Sequence, residues 1–119
     1  MLLIIVSIYG SFWFSGFENS NNTYFGLYGG NFNCMFRKCN MLDIPQSNFD
    51  NAFKFWENYN LSEYNVEYSV RKMFANCSKL SVNVKAGVFW NQSVFVDHSN
   101  CFYGCSKIQN YNDIPDDWK

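Results

Sequence analysis

Five cysteines are the residues best able to do chemistry in this chain of 119 residues. In a small secreted domain, cysteines at such spacings predict a disulfide framework. Because five is odd, at most two bonds form within the chain, and the remaining thiol could link a second chain into a dimer. The candidate disulfide residues are Cys34, Cys39, Cys77, Cys101 and Cys105.

A zinc site is the alternative use of these thiols. Four residues separate Cys34 from Cys39, and three separate Cys101 from Cys105. Structural zinc ligands have spacings of this order. Zinc thiolates need a reducing compartment, however, which conflicts with the secretory signal that the N-terminus predicts. The sequence therefore favours disulfides, with no metal and no other cofactor.

The single histidine, His98, directly follows Asp97. These two residues could form the acid–base part of a small secreted hydrolase, which is one alternative function. Such an enzyme also needs a nucleophile held beside the imidazole. No Gly-x-Ser-x-Gly motif and no glycine-rich phosphate loop occurs in the sequence. We therefore expect no enzyme activity and assign no catalytic residue.

The N-terminus begins with an apolar run and has no charge before Glu18. Gly10 and Gly16 interrupt this run, so it is too short for a typical membrane-spanning helix and fits a secretory signal. We predict a signal segment over residues 1–16, one globular domain over residues 17–110 and a loose tail over residues 111–119. The expected location is the secretory-pathway lumen or the exterior, with no stable membrane span after signal removal. An uncleaved anchor or a first buried strand is the alternative for the segment.

Four Asn-x-Ser/Thr triplets support the same compartment, since they accept N-linked glycans there. Two of them fall at predicted turns, where a glycan has room. The candidate glycosylation sites are Asn21, Asn60, Asn76 and Asn91.

Charge and aromatic content bound the partners of the protein. The net charge is −1, and the nine Lys and Arg residues are scattered along the sequence, which argues against nucleic-acid binding. Aromatic residues make up 21% of the chain. This excess reflects either a biased coding sequence or an exposed surface that binds a protein or glycan. On the second interpretation, the contact residues would be Trp90, Tyr103 and Trp118.

Hydrophobic periodicity predicts one amphipathic helix over residues 48–58, with Phe49, Phe53 and Trp56 on its buried face and Ser47 as N-cap. Alternating apolar residues predict strands over residues 64–70, 80–88 and 94–96. A turn at residues 91–93 would join the last two as an antiparallel hairpin, and Gly29-Gly30 would form another. No internal repeat is apparent. The predicted fold class is α+β: a small, mainly antiparallel, disulfide-bearing sheet with one helix, or as a variant an immunoglobulin-like sandwich.

The whole chain is rich in Phe, Tyr, Asn and Val and low in Lys, and residues 87–93 and 101–105 are examples of this texture. In composition, the chain is similar to coronavirus-type secreted and envelope glycoproteins. That resemblance implies a viral accessory or envelope glycoprotein that meets host molecules. Together these observations predict a small secreted glycoprotein that acts as a binding module. The alternative is a fragment of a larger ectodomain with no independent activity.

Overall fold

A computed structural model describes residues 29–58 and 61–119 of the chain. The predicted signal segment and the sequons at Asn21 and Asn60 lie outside the described residues. The regular elements are short, and turns and irregular segments connect them within the described residues. The strands are β1 Gly30–Asn31, β2 Tyr68–Ser69 and β3 Phe95–Asp97, and the helices are α1 Gln46–Ala52 and α2 Lys54–Asn58. Short 3₁₀ turns occupy Leu61–Tyr64, Tyr111–Asp113 and Asp116–Trp118.

The three strands form one parallel sheet in the order β1-β2-β3. The pairing continues past the strands as a ladder of backbone hydrogen bonds between three successive coils of the chain. Cys34, Phe36 and Lys38 donate their amides to residues 71, 73 and 75, and residues 72, 74 and 76 donate in the same way to residues 99, 101 and 103. The chain therefore winds into a short solenoid of three layers. We number them 1 to 3 in chain order, so that β1 lies in layer 1, β2 in layer 2 and β3 in layer 3.

Each layer turns in the same way after its strand. Two positions in every layer have a left-handed backbone: Cys34, Lys72 and Asn100 at the first, and Lys38, Asn76 and Gly104 at the second. This conformation is favourable for Gly and tolerable for Asn, but it costs free energy for Lys and Cys. The interlayer hydrogen bonds must therefore offset that cost in layers 1 and 2.

The repeated turns reveal an internal sequence repeat, so the prediction that the chain has none is wrong. Residues 33–42, 71–80 and 99–108 align without a gap. A phenylalanine, a cysteine and a leucine or isoleucine recur at the same places in all three segments: Phe36, Phe74 and Phe102; Cys39, Cys77 and Cys105; Leu42, Leu80 and Ile108. All nine of these side chains are buried.

The core consists of the columns that these repeated side chains form through the stack. Phe74 lies between Phe36 and Phe102, with ring centroids 5.4 Å and 5.6 Å away and nearly parallel planes. Trp56 lies over the strands, and its ring is 5.5 Å from that of Tyr68 and 5.1 Å from that of Phe95. Aromatic pairs at such distances add to the gain from burial. The prediction of one continuous helix over residues 48–58 is wrong, because Phe53 separates α1 from α2. The predicted buried face is confirmed, since Phe49, Ala52, Phe53 and Trp56 are all buried.

The predicted fold class is wrong in its strand direction and in its disulfides. Residues 80–88 form no strand, although Leu80, Val82 and Val84 are buried as their alternation predicts. Instead of pairing in a hairpin with them, β3 pairs in parallel with β2. Alternation reports which side chains are buried, but it does not report the direction of the neighbouring strand. Neither the antiparallel sheet nor the immunoglobulin-like variant describes this chain.

Beyond the turns, hydrogen bonds from side-chain amides to the backbone take the place of the backbone–backbone hydrogen bonds between layers. The Gln46 side chain accepts a hydrogen bond from the Asn83 amide and donates one to the Asn83 carbonyl, at 2.7 and 2.9 Å. The Asn110 side chain clamps the amide and carbonyl of Val84 in the same way, at 2.8 and 2.6 Å. Each clamp copies the hydrogen-bond pattern of a paired strand, and so it satisfies backbone groups that would otherwise lack partners.

The last nine residues pack against layer 3 instead of forming a loose tail. The Trp118 carbonyl accepts a hydrogen bond from the Phe102 amide at 2.8 Å. The Trp118 side chain is buried, and its ring stacks on the imidazole of His98 with centroids 4.5 Å apart. This packing leaves Trp118 unable to act as a surface contact. Within the described ranges, no helix is long and apolar enough to cross a membrane.

Candidate functional site

No disulfide joins any of the five cysteines, all of which lie in the described ranges, so the predicted disulfide framework is wrong. Cys39, Cys77 and Cys105 occupy the same buried position in the three layers. The thiols of Cys77 and Cys105 donate to the carbonyls of Phe36 and Phe74, at 3.0 and 2.8 Å. These cysteines serve as small core residues that also satisfy a backbone carbonyl in the layer before.

The thiols of Cys77 and Cys101 are held in their neutral form. The neighbouring Cys105 thiol and burial raise the pKa of Cys77 far above its ordinary value. Burial likewise raises the pKa of Cys101. A thiol without access to its thiolate is a poor nucleophile and a poor metal ligand. The described part of the chain holds no cluster of three or more residues arranged to bind a metal ion.

Asp97 and His98 are directed towards different partners. Asp97 accepts a hydrogen bond from the Ser99 hydroxyl at 3.1 Å, and its other oxygen lies 3.7 Å from the Arg71 guanidinium. His98 stacks on Trp118, and its Nε2 lies 3.7 Å from the Asp117 carboxylate. The imidazole therefore faces the C-terminal segment, and these contacts provide no nucleophile for the hydrolase alternative.

Lys and Arg residues are concentrated along one edge of the three stacked layers. We call residues 33–42, 71–80 and 99–108 together the turn edge. Six of the nine basic residues of the chain lie in these three segments, and the segments contain no Asp or Glu. The six are Arg37, Lys38, Arg71, Lys72, Lys79 and Lys107.

These cations are exposed and largely without carboxylate partners. Lys72 is half-buried and the other five are exposed. Arg71 pairs with Asp97, and both side chains are about half exposed, so the pair is worth little. Within residues 29–58 and 61–119, the remaining five make no ion pair. An uncompensated group of like charges raises the local concentration of anions and speeds their association.

A depression on the turn edge brings charge together with an exposed aromatic ring. It encloses about 250 Å³. Tyr103 is among its walls, with 55% of its surface exposed. We call it the Tyr103 pocket, and it is lined by Arg37, Lys72, Ala75, Asn76, Asn100 and Tyr103.

The layer register explains the shape of the Tyr103 pocket. Arg37, Ala75 and Tyr103 occupy the same position in layers 1, 2 and 3. Neighbouring parallel strands are about 4.8 Å apart, so the backbones of layers 1 and 3 are about 10 Å apart here. Ala75 has the smallest side chain of the three and is buried. The pocket is therefore a notch lined by the long side chains of Arg37 and Tyr103.

No protein-family model, curated protein or solved structure matches this chain. The likeness in composition to coronavirus-type glycoproteins remains a prediction. The function must therefore be argued from the turn edge itself.

Sequence reasoning placed only one turn-edge residue, Tyr103, in a binding surface. Trp90 is half-buried and lies with its ring 6.5 Å from that of Trp118, away from the Tyr103 pocket. The cations were missed because they are far apart in sequence, and only the layer register brings them together. Aligning the recurring Phe and Cys residues of the repeat would have shown from the sequence that these cations share one edge.

A second depression, of about 360 Å³, lies around Pro45, Ser81 and Gln109. Asp43 and Gln46 both line it, so it lacks the positive charge of the turn edge. The Gln46 amide already uses both ends on the backbone of Asn83 and so serves to hold two layers together. We therefore take the turn edge as the candidate site.

Proposed function

We propose that this protein is a binding module that holds a negatively charged macromolecule against its turn edge. The observation that supports this most is the separation of charge. Six cations and no carboxylates occupy the three stacked segments, although the chain as a whole has a net charge of −1. Attraction between opposite charges at such an edge acts over about a Debye length of 8–10 Å at physiological salt.

Immobilised heparin, a dense polyanion, is a suitable probe for this proposal. The wild-type chain should be retained at low salt and released as the salt concentration rises, because counterions screen exposed charges. Lys38→Glu reverses one turn-edge charge. Lys54→Glu is the matched control, since Lys54 is an exposed lysine on α2.

We expect the Lys38 variant to elute at clearly lower salt than the Lys54 variant, although both carry the same net charge. Equal elution of the two would mean that net charge, and not the turn edge, controls retention. Failure of the wild-type chain to bind at low salt would refute the proposal outright.

The secretory location belongs to the same proposal and depends on the sequence. Asn91 is exposed at a turn before β3, so a glycan attached there would meet solvent. Asn76 lines the Tyr103 pocket and its amide oxygen lies against Gly104, so a glycan there would obstruct the candidate site. Mass spectrometry of the chain secreted from cells should find a glycan on Asn91. Cytosolic protein with an intact Met1 and no glycan would contradict this location.

A further inference from the structure

From the Tyr103 pocket we infer the class of ligand: an acidic glycan, one of whose sulfated or carboxylated sugar rings occupies the notch. This inference rests on the proposed function, because the pocket is part of the turn edge. The inference adds to the proposed function a specific chemistry for the bound group.

The charges flanking the pocket suit an anion attached directly to the ring. Arg37 lines one side of the notch and Lys72 lies in the middle layer. A guanidinium can make two parallel hydrogen bonds to a sulfate or carboxylate, and an ammonium adds a compact charge. Neither residue is committed to a carboxylate within the described residues. Both are therefore available to a ligand.

Tyr103 provides the wall for the ring. Over half of its surface is exposed, although an aromatic side chain of this size is more often largely buried. An exposed aromatic face offers an apolar platform with a polar tip, which suits a ligand that is apolar on one face and polar at its edge. The C–H face of a sugar ring has this character.

Two amide side chains suit the hydroxyl groups of a sugar. Asn76 and Asn100 line the pocket. No hydrogen bond of either side chain occurs within residues 29–58 and 61–119. An amide both donates and accepts, so it can pair with a hydroxyl in either sense.

The closeness of ring and charge favours a glycan over a single-stranded nucleic acid. A sulfated sugar bears its anion on the ring that would stack on Tyr103. In a nucleotide, the ribose separates the stacking base from its phosphate. Tyr103 and Arg37 line the same pocket of about 250 Å³, which fits the first geometry better.

The test compares two probes of matched charge, a heparin-derived oligosaccharide and a single-stranded oligothymidine, by calorimetric titration of the full chain. We expect the oligosaccharide to bind more tightly. Tyr103→Ala should weaken its binding about tenfold, the effect of losing roughly 1.4 kcal/mol of stacking. Tyr103→Phe keeps the ring and should stay within about threefold of the wild type.

Lys107→Gln is the second comparison, because Lys107 is on the turn edge but does not line the pocket. It should weaken binding less than Tyr103→Ala and should reduce the salt dependence, which Tyr103→Ala should leave unchanged. If Tyr103→Ala has no effect while Lys107→Gln does, the pocket inference fails and the proposed function stands. Tighter binding of oligothymidine would also overturn the inference. Binding of neither probe would remove the proposed function as well.

Discussion

Gly104 lies against the side chain of Asn76 in the layer before it. A Cβ placed on Gly104 would collide with the Asn76 amide oxygen, and the backbone of Gly104 is left-handed, with φ of +73°. Gly104 therefore allows layer 3 to approach layer 2 at the second left-handed position.

Replacing Gly104 with Ala should destabilise the protein by about 1–3 kcal/mol, since it adds both a clash and an unfavourable backbone conformation. Gly87→Ala is the matched control, because nothing lies within 4 Å of a Cβ at Gly87. Urea denaturation of the two variants measures the difference. Equal stability of the two variants would mean that the layers do not approach as closely as described.

The Asn110 side chain joins layers 2 and 3 through two hydrogen bonds to Val84. Asn110→Ala should lower the free energy of unfolding by about 1–3 kcal/mol, because it leaves an amide and a carbonyl of Val84 without their partner. Asn112→Ala is the control, since Asn112 is exposed two residues further along. A loss of stability as large in the Asn112 variant would show that the clamp contributes little.

The state of the thiols distinguishes this structure from a disulfide framework. Cys34 is exposed, whereas the other four cysteines are buried. A thiol reagent such as dithionitrobenzoate should modify Cys34 quickly in the native protein and the other four only after denaturation. Five thiols should react in denaturant without any reductant. Recovery of fewer than five from freshly prepared protein would contradict the free-thiol structure.

Stability should fall in alkaline solution because the Cys77 and Cys101 thiols resist ionisation. In the folded chain the pKa values of Cys77 and Cys101 are raised, while in the unfolded chain they lie near the ordinary value of about 8.5. Above that pH the unfolded state loses protons that the folded state keeps, so the free energy of unfolding decreases as pH rises.

Each such thiol contributes a slope of up to about 1.4 kcal/mol per pH unit. Urea denaturation at pH 8 and at pH 9.5 should show the decrease. Cys101→Val removes one of the two groups and should make the slope shallower. A slope that is the same in the variant and in the wild type would refute the explanation.

The sequence predicted which side chains are buried better than how the chain is arranged. The helical face of Phe49, Phe53 and Trp56 follows from periodicity alone, and so does the burial of Leu80, Val82 and Val84. The parallel register does not follow, because a period of two is the same for either strand direction. Ser47 also fails as N-cap, since the helix begins one residue earlier, after Pro45.

The candidate site could not be predicted because it exists only between layers. Arg37, Lys72 and Tyr103 lie in three different segments, and the chain between layers 1 and 2 is longer than that between layers 2 and 3. The unequal intervals hide the repeat when the sequence is searched at a fixed period. Once Phe36, Phe74 and Phe102 are aligned, the positive charges fall on one edge.

Mapping the bound polyanion on the protein would decide whether the turn edge binds it. Amide resonances of the ¹⁵N-labelled chain would be followed during titration with a heparin oligosaccharide. We expect the largest shifts within residues 33–42, 71–80 and 99–108, with Lys72 and Tyr103 among them, and almost no shift in α1 and α2. Shifts concentrated on the helices, or spread evenly over the surface, would contradict it.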